Sequence, residues 1–131
     1  MIQCVGSREE QRQYCSRICC SQAVQNAIRA KELFPAANVY VLYRDIRTYG
    51  FRESYYAEAR DKGVVFIRFD LDHRPEVVFK KKSTGANPIP TVVVEDSILG
   101  QKLAIRADFV VLSAGIVADG EANDALAKQL K

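Results

Sequence analysis

The sequence predicts an α/β domain: three-layer and Rossmann-like, with a parallel sheet plus a small antiparallel β-meander. Apolar β-branched runs alternate with helical patterns through the first half, at spacings of about thirty residues, the size of right-handed βαβ units. The second half switches to short β-rich stretches separated by turn-formers, with no helical pattern between them. A last continuous apolar run, Phe-Val-Val-Leu-Ser at 109–113, then returns to the parallel sheet. With 131 residues the chain is one domain by the soft rule of about 100 to 200 residues each. Its 48% hydrophobic and 27% charged residues are those of a globular chain rather than a disordered one. A domain of this size buries roughly 68% of the surface of its unfolded chain, enough for a core that needs no disulfide staples.

Each element has its own signal. Residues 1–5 form a short apolar strand that Gly6 and Ser7 break into a turn. Over 14–34, Ile18, Val24, Ala27, Ile28 and Leu33 fall near helical spacing, and Pro35 closes the helix. The run 38–43, Asn-Val-Tyr-Val-Leu-Tyr, is almost free of polar residues, as in a strand covered on both faces. Phe51, Tyr55 and Ala59 are four apart and Gly63 offers a left-handed cap, which predicts a helix over 54–62. Residues 64–69 are the third strand. The meander, an insert over about residues 75–106, uses 76–79, 91–95 and 102–105, with turns at 83–88 and Gly100. A final helix over 121–130 has little left to pack on, so the chain is expected to be a piece of a larger protein.

All four cysteines, Cys4, Cys15, Cys19 and Cys20, lie in the first twenty residues, in the turn between the first strand and the first helix. If the helix begins near Tyr14, Cys15 and Cys19 are i and i+4 and share a face, with Cys20 about 100 degrees further round. Four soft thiolates suit zinc or an iron-sulfur cluster. A helix N-terminus, with Arg8, Arg12 and Arg17 nearby, favours negative charge there. Structural zinc usually takes two C-x(2-4)-C pairs, whereas here one ligand is remote and two are adjacent, so a 4Fe-4S cluster is the better reading. The competing readings are a packed thiol, to which any lone cysteine belongs by default, and a disulfide, which a cytosolic chain disfavours. Clustering of four favours ligation.

The same turn has a single glycine and two carboxylates, Glu9 and Glu10, where a dinucleotide site needs G-x-G-x-x-G, so a bound pyrophosphate is disfavoured. The runs Gln3-Cys4-Val5-Gly6-Ser7-Arg8, Tyr14-Cys15-Ser16-Arg17-Ile18-Cys19-Cys20, Tyr43-Arg44-Asp45-Ile46-Arg47-Thr48-Tyr49-Gly50 and Gly63-Val64-Val65-Phe66-Ile67-Arg68 resemble the family of A-type iron-sulfur subunits of CoB-CoM heterodisulfide reductase over about residues 1–119. The resemblance implies a thioredoxin-reductase-like flavoprotein that takes part in electron bifurcation at FAD. Within it, this chain looks like the second, NAD(P)-binding-like subdomain, closed by the strand in Asp108-Phe109-Val110-Val111-Leu112-Ser113-Ala114-Gly115-Ile116. It further implies that Cys4, Cys15, Cys19 and Cys20 hold a 4Fe-4S cluster, expected to be lost from an isolated piece in air. No FAD-type glycine motif and no C-x2-C-x2-C-x3-C-P run is present, so FAD and the ferredoxin-type clusters are expected outside this chain, which alone should not turn over substrate.

Three functions compete: an electron-transfer domain of such a reductase, a structural or interaction module binding zinc or no metal, and a pyridine-nucleotide oxidoreductase domain. Expected partners are the flavin and ferredoxin-type domains of the parent protein, other reductase subunits and, through bared apolar surface, further copies of the chain. Nucleic acid and membranes are not expected. The formal net charge is only +3, the longest like-charge block is the three lysines Lys80, Lys81 and Lys82, and apolar runs fall short of the roughly 20 residues a span needs. No secretory signal is visible, so the expected location is the cytoplasm. Arg44 and Arg47 are read as a solvated or ion-paired loop, His73 as a surface imidazole, Lys80 to Lys82 as solvating a hairpin, and Tyr49, Phe51, Tyr55 and Tyr56 as a helix face turned to the core.

Overall fold

A computed structural model describes residues 1–80 and 88–130. The chain runs α1 (Cys19–Leu33), β1 (Tyr40–Tyr43), a short 3-10 helix (Gly50–Arg52), α2 (Glu53–Asp61), β2 (Val65–Arg68), a second 3-10 turn (Leu71–His73), β3 (Glu76–Lys80), β4 (Ile89–Asp96), β5 (Gln101–Arg106) and α3 (Gly120–Gln129). β1 and β2 pair in parallel, with Leu42 opposite Ile67. Ile2 extends this order, making parallel bridges to Leu42 on one side and Leu112 on the other. The ladder is short but hydrogen-bonded on both sides of the N-terminal segment: the Gln3 N–H donates to the Leu42 carbonyl, and the Ile2 N–H to that of Val111. β3, β4 and β5 form the expected antiparallel meander.

Alternation along the strands sorts the apolar residues into two cores. Val41 and Val64 pack with Val24, Ala27, Ile28 and Ala59 of α1 and α2. On the opposite face, Ile2, Leu42, Ile67 and Phe69 meet Val92 and Val94 of the meander. Helices, parallel strands and meander are therefore stacked in three layers. Gly63 carries the left-handed backbone, φ +80°, that ends α2, as its place after Lys62 predicts.

Four expectations are corrected. The helix predicted over 14–34 begins only at Cys19, because 8–18 is held as a loop: the Arg8 N–H donates to the Tyr14 carbonyl, and Glu9 and Arg12 exchange both backbone bonds. The first strand contributes a bridge at Ile2 and is broken at Cys4, where φ is +61°. The run 109–113 forms a bridge at Leu112 rather than a full strand. The aromatic helix face is not core: Phe51 is fully exposed and Tyr49 and Tyr55 are largely so, and it is Tyr56 that packs, edge-on to Phe66 at 4.7 Å. The turn expected at 83–88, up to Asn87, and the lysines Lys81 and Lys82 lie outside the described residues.

α3 starts where Asp119 accepts the Ala122 N–H, and none of its residues is buried, in line with a helix that finds nothing to pack on. The largest cavity, about 720 Å³, lies beside Phe34, Tyr40, Phe109 and Val111. These residues sit where the parallel strands begin, whereas the cysteines sit where they end. No helix among the described residues is long and apolar enough to cross a membrane.

Candidate cysteine site

The four cysteines come from three places. Cys4 follows the bridge residue Ile2, Cys15 lies in the loop, and Cys19 and Cys20 open α1. All are free thiols; Cys20 is buried and the others partly so. The loop reaches this arrangement through three non-glycine residues with positive φ: Cys4 at +61°, Arg8 at +59° and Arg17 at +63°. Each costs on the order of 1–2 kcal/mol, so the surroundings must over-determine the path.

Those surroundings are explicit. The Val5 N–H donates to the Ser113 carbonyl at 3.1 Å. The Tyr14 hydroxyl donates to the Ile116 carbonyl at 3.0 Å, and Ser16 Oγ accepts the Ile116 N–H at 2.8 Å. Glu9 takes the Gly6 N–H and pairs with Arg74 at 2.9 Å. Arg44 donates to the Arg8 carbonyl at 2.8 Å. The loop is thus sewn to the segment after Leu112 on one side and to the end of β1 on the other.

Three sulfurs have hydrogen-bond partners. Arg8 Nη1 lies 4.0 Å from Cys4 Sγ. The Arg17 N–H donates to Cys15 Sγ at 3.3 Å, and the Cys20 thiol donates to the Asp45 carbonyl at 3.5 Å. Burial pushes the Cys4 thiol up from its ordinary value, against the opposing charge and hydrogen bond of Arg8. Burial also pushes the Cys20 thiol up, against a backbone hydrogen bond at Arg47, and the nearby Cys4, Cys15 and Cys19 push in the same direction. Cys20 is therefore within electrostatic reach of all three other thiols. Among the described residues no three His, Cys, Asp or Glu side chains already form a metal cage. The donor set is all sulfur, and its members are neutral thiols that a soft cation would have to deprotonate.

The expected i and i+4 relation of Cys15 and Cys19 on a helix does not hold, because Cys15 precedes α1. What brings the four together is the loop. Of the arginines named from sequence, Arg8 touches a sulfur with its side chain, Arg17 does so through its backbone, and Arg12 instead donates to the Gly6 carbonyl. The roles of Asp45, Tyr14 and Ser16 were not foreseen, since each depends on a contact far away in sequence. Gln3 was also missed: it is 1% exposed, and neither atom of its amide has a hydrogen-bond partner. Met1 packs with the α1 core and Ile2 with the meander core, so alternation puts Gln3 on the α1 face. His73 is exposed and faces Glu95 at 3.9 Å, and Arg44 serves the loop rather than a phosphate.

The chain matches no family model. It is similar to the A-type subunit of the H(2)/formate:CoB-CoM heterodisulfide,ferredoxin reductase of Methanococcus maripaludis, 47% identical over 98% of this chain and 19% of that protein. The corresponding iron-sulfur subunit of the CoB--CoM heterodisulfide reductase of Methanocaldococcus jannaschii is 45% identical over 98% of this chain and 19% of its own length. That of the Ferredoxin:CoB-CoM heterodisulfide reductase of Methanosarcina acetivorans is 39% identical over 89% and 14%. The chain thus spans about a fifth or less of the curated relatives it matches.

Proposed function

From a chain that belongs to the family of A-type subunits of CoB-CoM heterodisulfide reductase, matching one segment of those proteins, we propose an electron-transfer domain whose Cys4, Cys15, Cys19 and Cys20 hold a 4Fe-4S cluster. The observation that carries the reading is the convergence of four thiols from three parts of the chain, all within electrostatic reach of Cys20. A relative named as an iron-sulfur subunit supports it. When bound, such a cluster supplies one-electron redox chemistry.

The chain's own residues hold the site ready. The Arg17 N–H already points at Cys15 Sγ and the Arg8 guanidinium at Cys4 Sγ, and both favour sulfur carrying negative charge. Cys19 and Cys20 occupy the first turn of α1, where no acidic residue is present and unpaired N–H groups add positive potential. Adjacent ligands at 19 and 20 suit separate irons of a cubane better than a single tetrahedral ion.

The fold reading follows the same line. The parallel order β2, β1, Ile2, Leu112 with helices on one face and a meander on the other fits a Rossmann-like, NAD(P)-binding-like subdomain in which a thiol loop replaces the phosphate turn. We read residues 1–131 as one domain of a larger iron-sulfur flavoprotein, with FAD, further clusters and partner subunits bound elsewhere in it. Free thiols suit a cytoplasmic setting.

The test is an iron and acid-labile sulfide count on protein reconstituted without oxygen, with Cys19→Ala alongside. Four irons and four sulfides per chain, lost in the variant, are expected for a cubane. One zinc per chain without sulfide would replace this reading with a structural module; no metal at all would end it.

A further inference from the structure

We infer that Arg8 is a positioning residue that fixes a positive charge against the Cys4 sulfur and thereby raises the reduction potential of the site, with Asp45 holding and partly offsetting that charge. The inference rests on the cluster reading above. Its basis is how completely this one side chain is held. Arg8 Nη2 meets Asp45 Oδ2 at 2.6 Å, with only 17% of the Arg8 side chain exposed. Its Nη1 lies 4.0 Å from Cys4 Sγ. Its backbone is pinned at both ends: the N–H donates to the Tyr14 carbonyl and the carbonyl accepts from Arg44.

Asp45 touches the site a second time, since its backbone carbonyl accepts the Cys20 thiol at 3.5 Å. One ion pair therefore ties the loop bearing Cys4 to the segment touching Cys20. Among the described residues no other Lys or Arg side chain hydrogen-bonds to a sulfur, so the fixed charge in contact with the thiols comes from Arg8. A guanidinium is always protonated and presents a rigid fork, which lets one arm bind the carboxylate while the other faces sulfur. Adding one electron to the site adds one negative charge. A cation at contact distance in a partly buried setting favours that more negative state.

Three variants of the full chain, loaded anaerobically with iron and sulfide and titrated with dithionite under EPR, separate charge from shape. Arg8→Gln removes the cation and leaves Asp45 unopposed. The ratio of reduced to oxidised site at a fixed ambient potential should fall roughly tenfold. Asp45→Asn removes the offsetting charge and should raise that ratio by about threefold, the opposite sign. Arg8→Lys keeps the charge and loses the fork, so it should recover most of the Arg8→Gln shift. Equal midpoints in the loaded fractions, whatever the loading, would overturn the inference. If Arg8→Gln does not load, the sign for Asp45→Asn decides: no rise overturns it. An unaltered chain that takes up no iron and sulfide sinks the cluster reading itself, whereas a loaded chain with unmoved variants sinks only this inference.

Discussion

A Cβ on Gly115 would stand 2.9 Å from Ser16 Oγ and 3.4 Å from Ser7 Cβ. Gly115 also has φ +80°, so the segment after Leu112 approaches the cysteine loop as closely as it does only because no side chain intervenes. Gly115→Ala should destabilise the metal-free chain by about 1–3 kcal/mol through strain and overlap together. It should also expose Cys15 and Cys19 to alkylation, because the next residue, Ile116, anchors the loop through Ser16 and Tyr14. Thermal unfolding and mass-resolved iodoacetamide labelling measure the two effects. Unchanged melting and labelling would mean that the contact does not hold the loop.

Tyr14 tests the same seam more gently. Its hydroxyl bond to the Ile116 carbonyl is exposed, so Tyr14→Phe should cost no more than about 1 kcal/mol. Because that bond restrains the loop and not the core, the expected result is local: Cys15 labelling up about fivefold, with a melting shift of no more than about 4 °C. A global collapse of stability would show that the loop is part of the core.

Gln3 is the one buried side chain among the described residues whose polar atoms all lack partners. Leaving an amide unsatisfied costs on the order of 1–3 kcal/mol, and an apolar residue of similar shape removes that cost. Gln3→Met should therefore stabilise the metal-free chain by about 1 kcal/mol in urea unfolding. A loss of that size instead would show that the amide is satisfied by something in solution.

Much of this architecture was legible where periodicity and packing agree. β3, β4 and β5 fall within two residues of the stretches marked by β-branched runs and turn-formers, and Gly63 ends α2 as its lack of a side chain allows. Legibility failed where a local pattern was overridden by contacts remote in sequence. Tyr14 and Ile18 continue the apolar spacing of α1, yet both are about half exposed, because bonds to Ile116 and within 8–14 hold the loop out of the helix. The cysteines themselves were legible from clustering alone. Their arrangement was not: it depends on the positive φ of Cys4, Arg8 and Arg17, which no propensity favours. Phe51 misled for a related reason, since helical spacing marks a face without saying that a partner lies against it.

The thiols give the metal-free chain a defined pH dependence. Cys4 and Cys20 are both pushed up by burial, so in the folded chain they stay protonated above the ordinary thiol value of about 8.5. A group raised in this way contributes stability that is fully present below its unfolded value and is lost as pH rises through its folded one. Asp45 runs the other way. The hydrogen bond from Arg8, chiefly, holds its carboxyl below the ordinary value, so its contribution is present above about pH 3.9 and is lost as pH falls through the folded value. That term is small, because about half of the side chain is exposed and solvent and salt screen the pair. Melting temperatures taken in chelator and reductant should be level from about pH 5 to 8 and fall above about 8.5. They should also fall on the acid side, where Asp45→Asn loses a part that high salt abolishes. The alkaline fall should be shallower in a Cys4→Ala, Cys20→Ala double variant, whatever its absolute stability, since the raised groups are gone. An alkaline slope identical to that of the unaltered chain would show that these two sulfurs are solvated in the folded state, contrary to their burial.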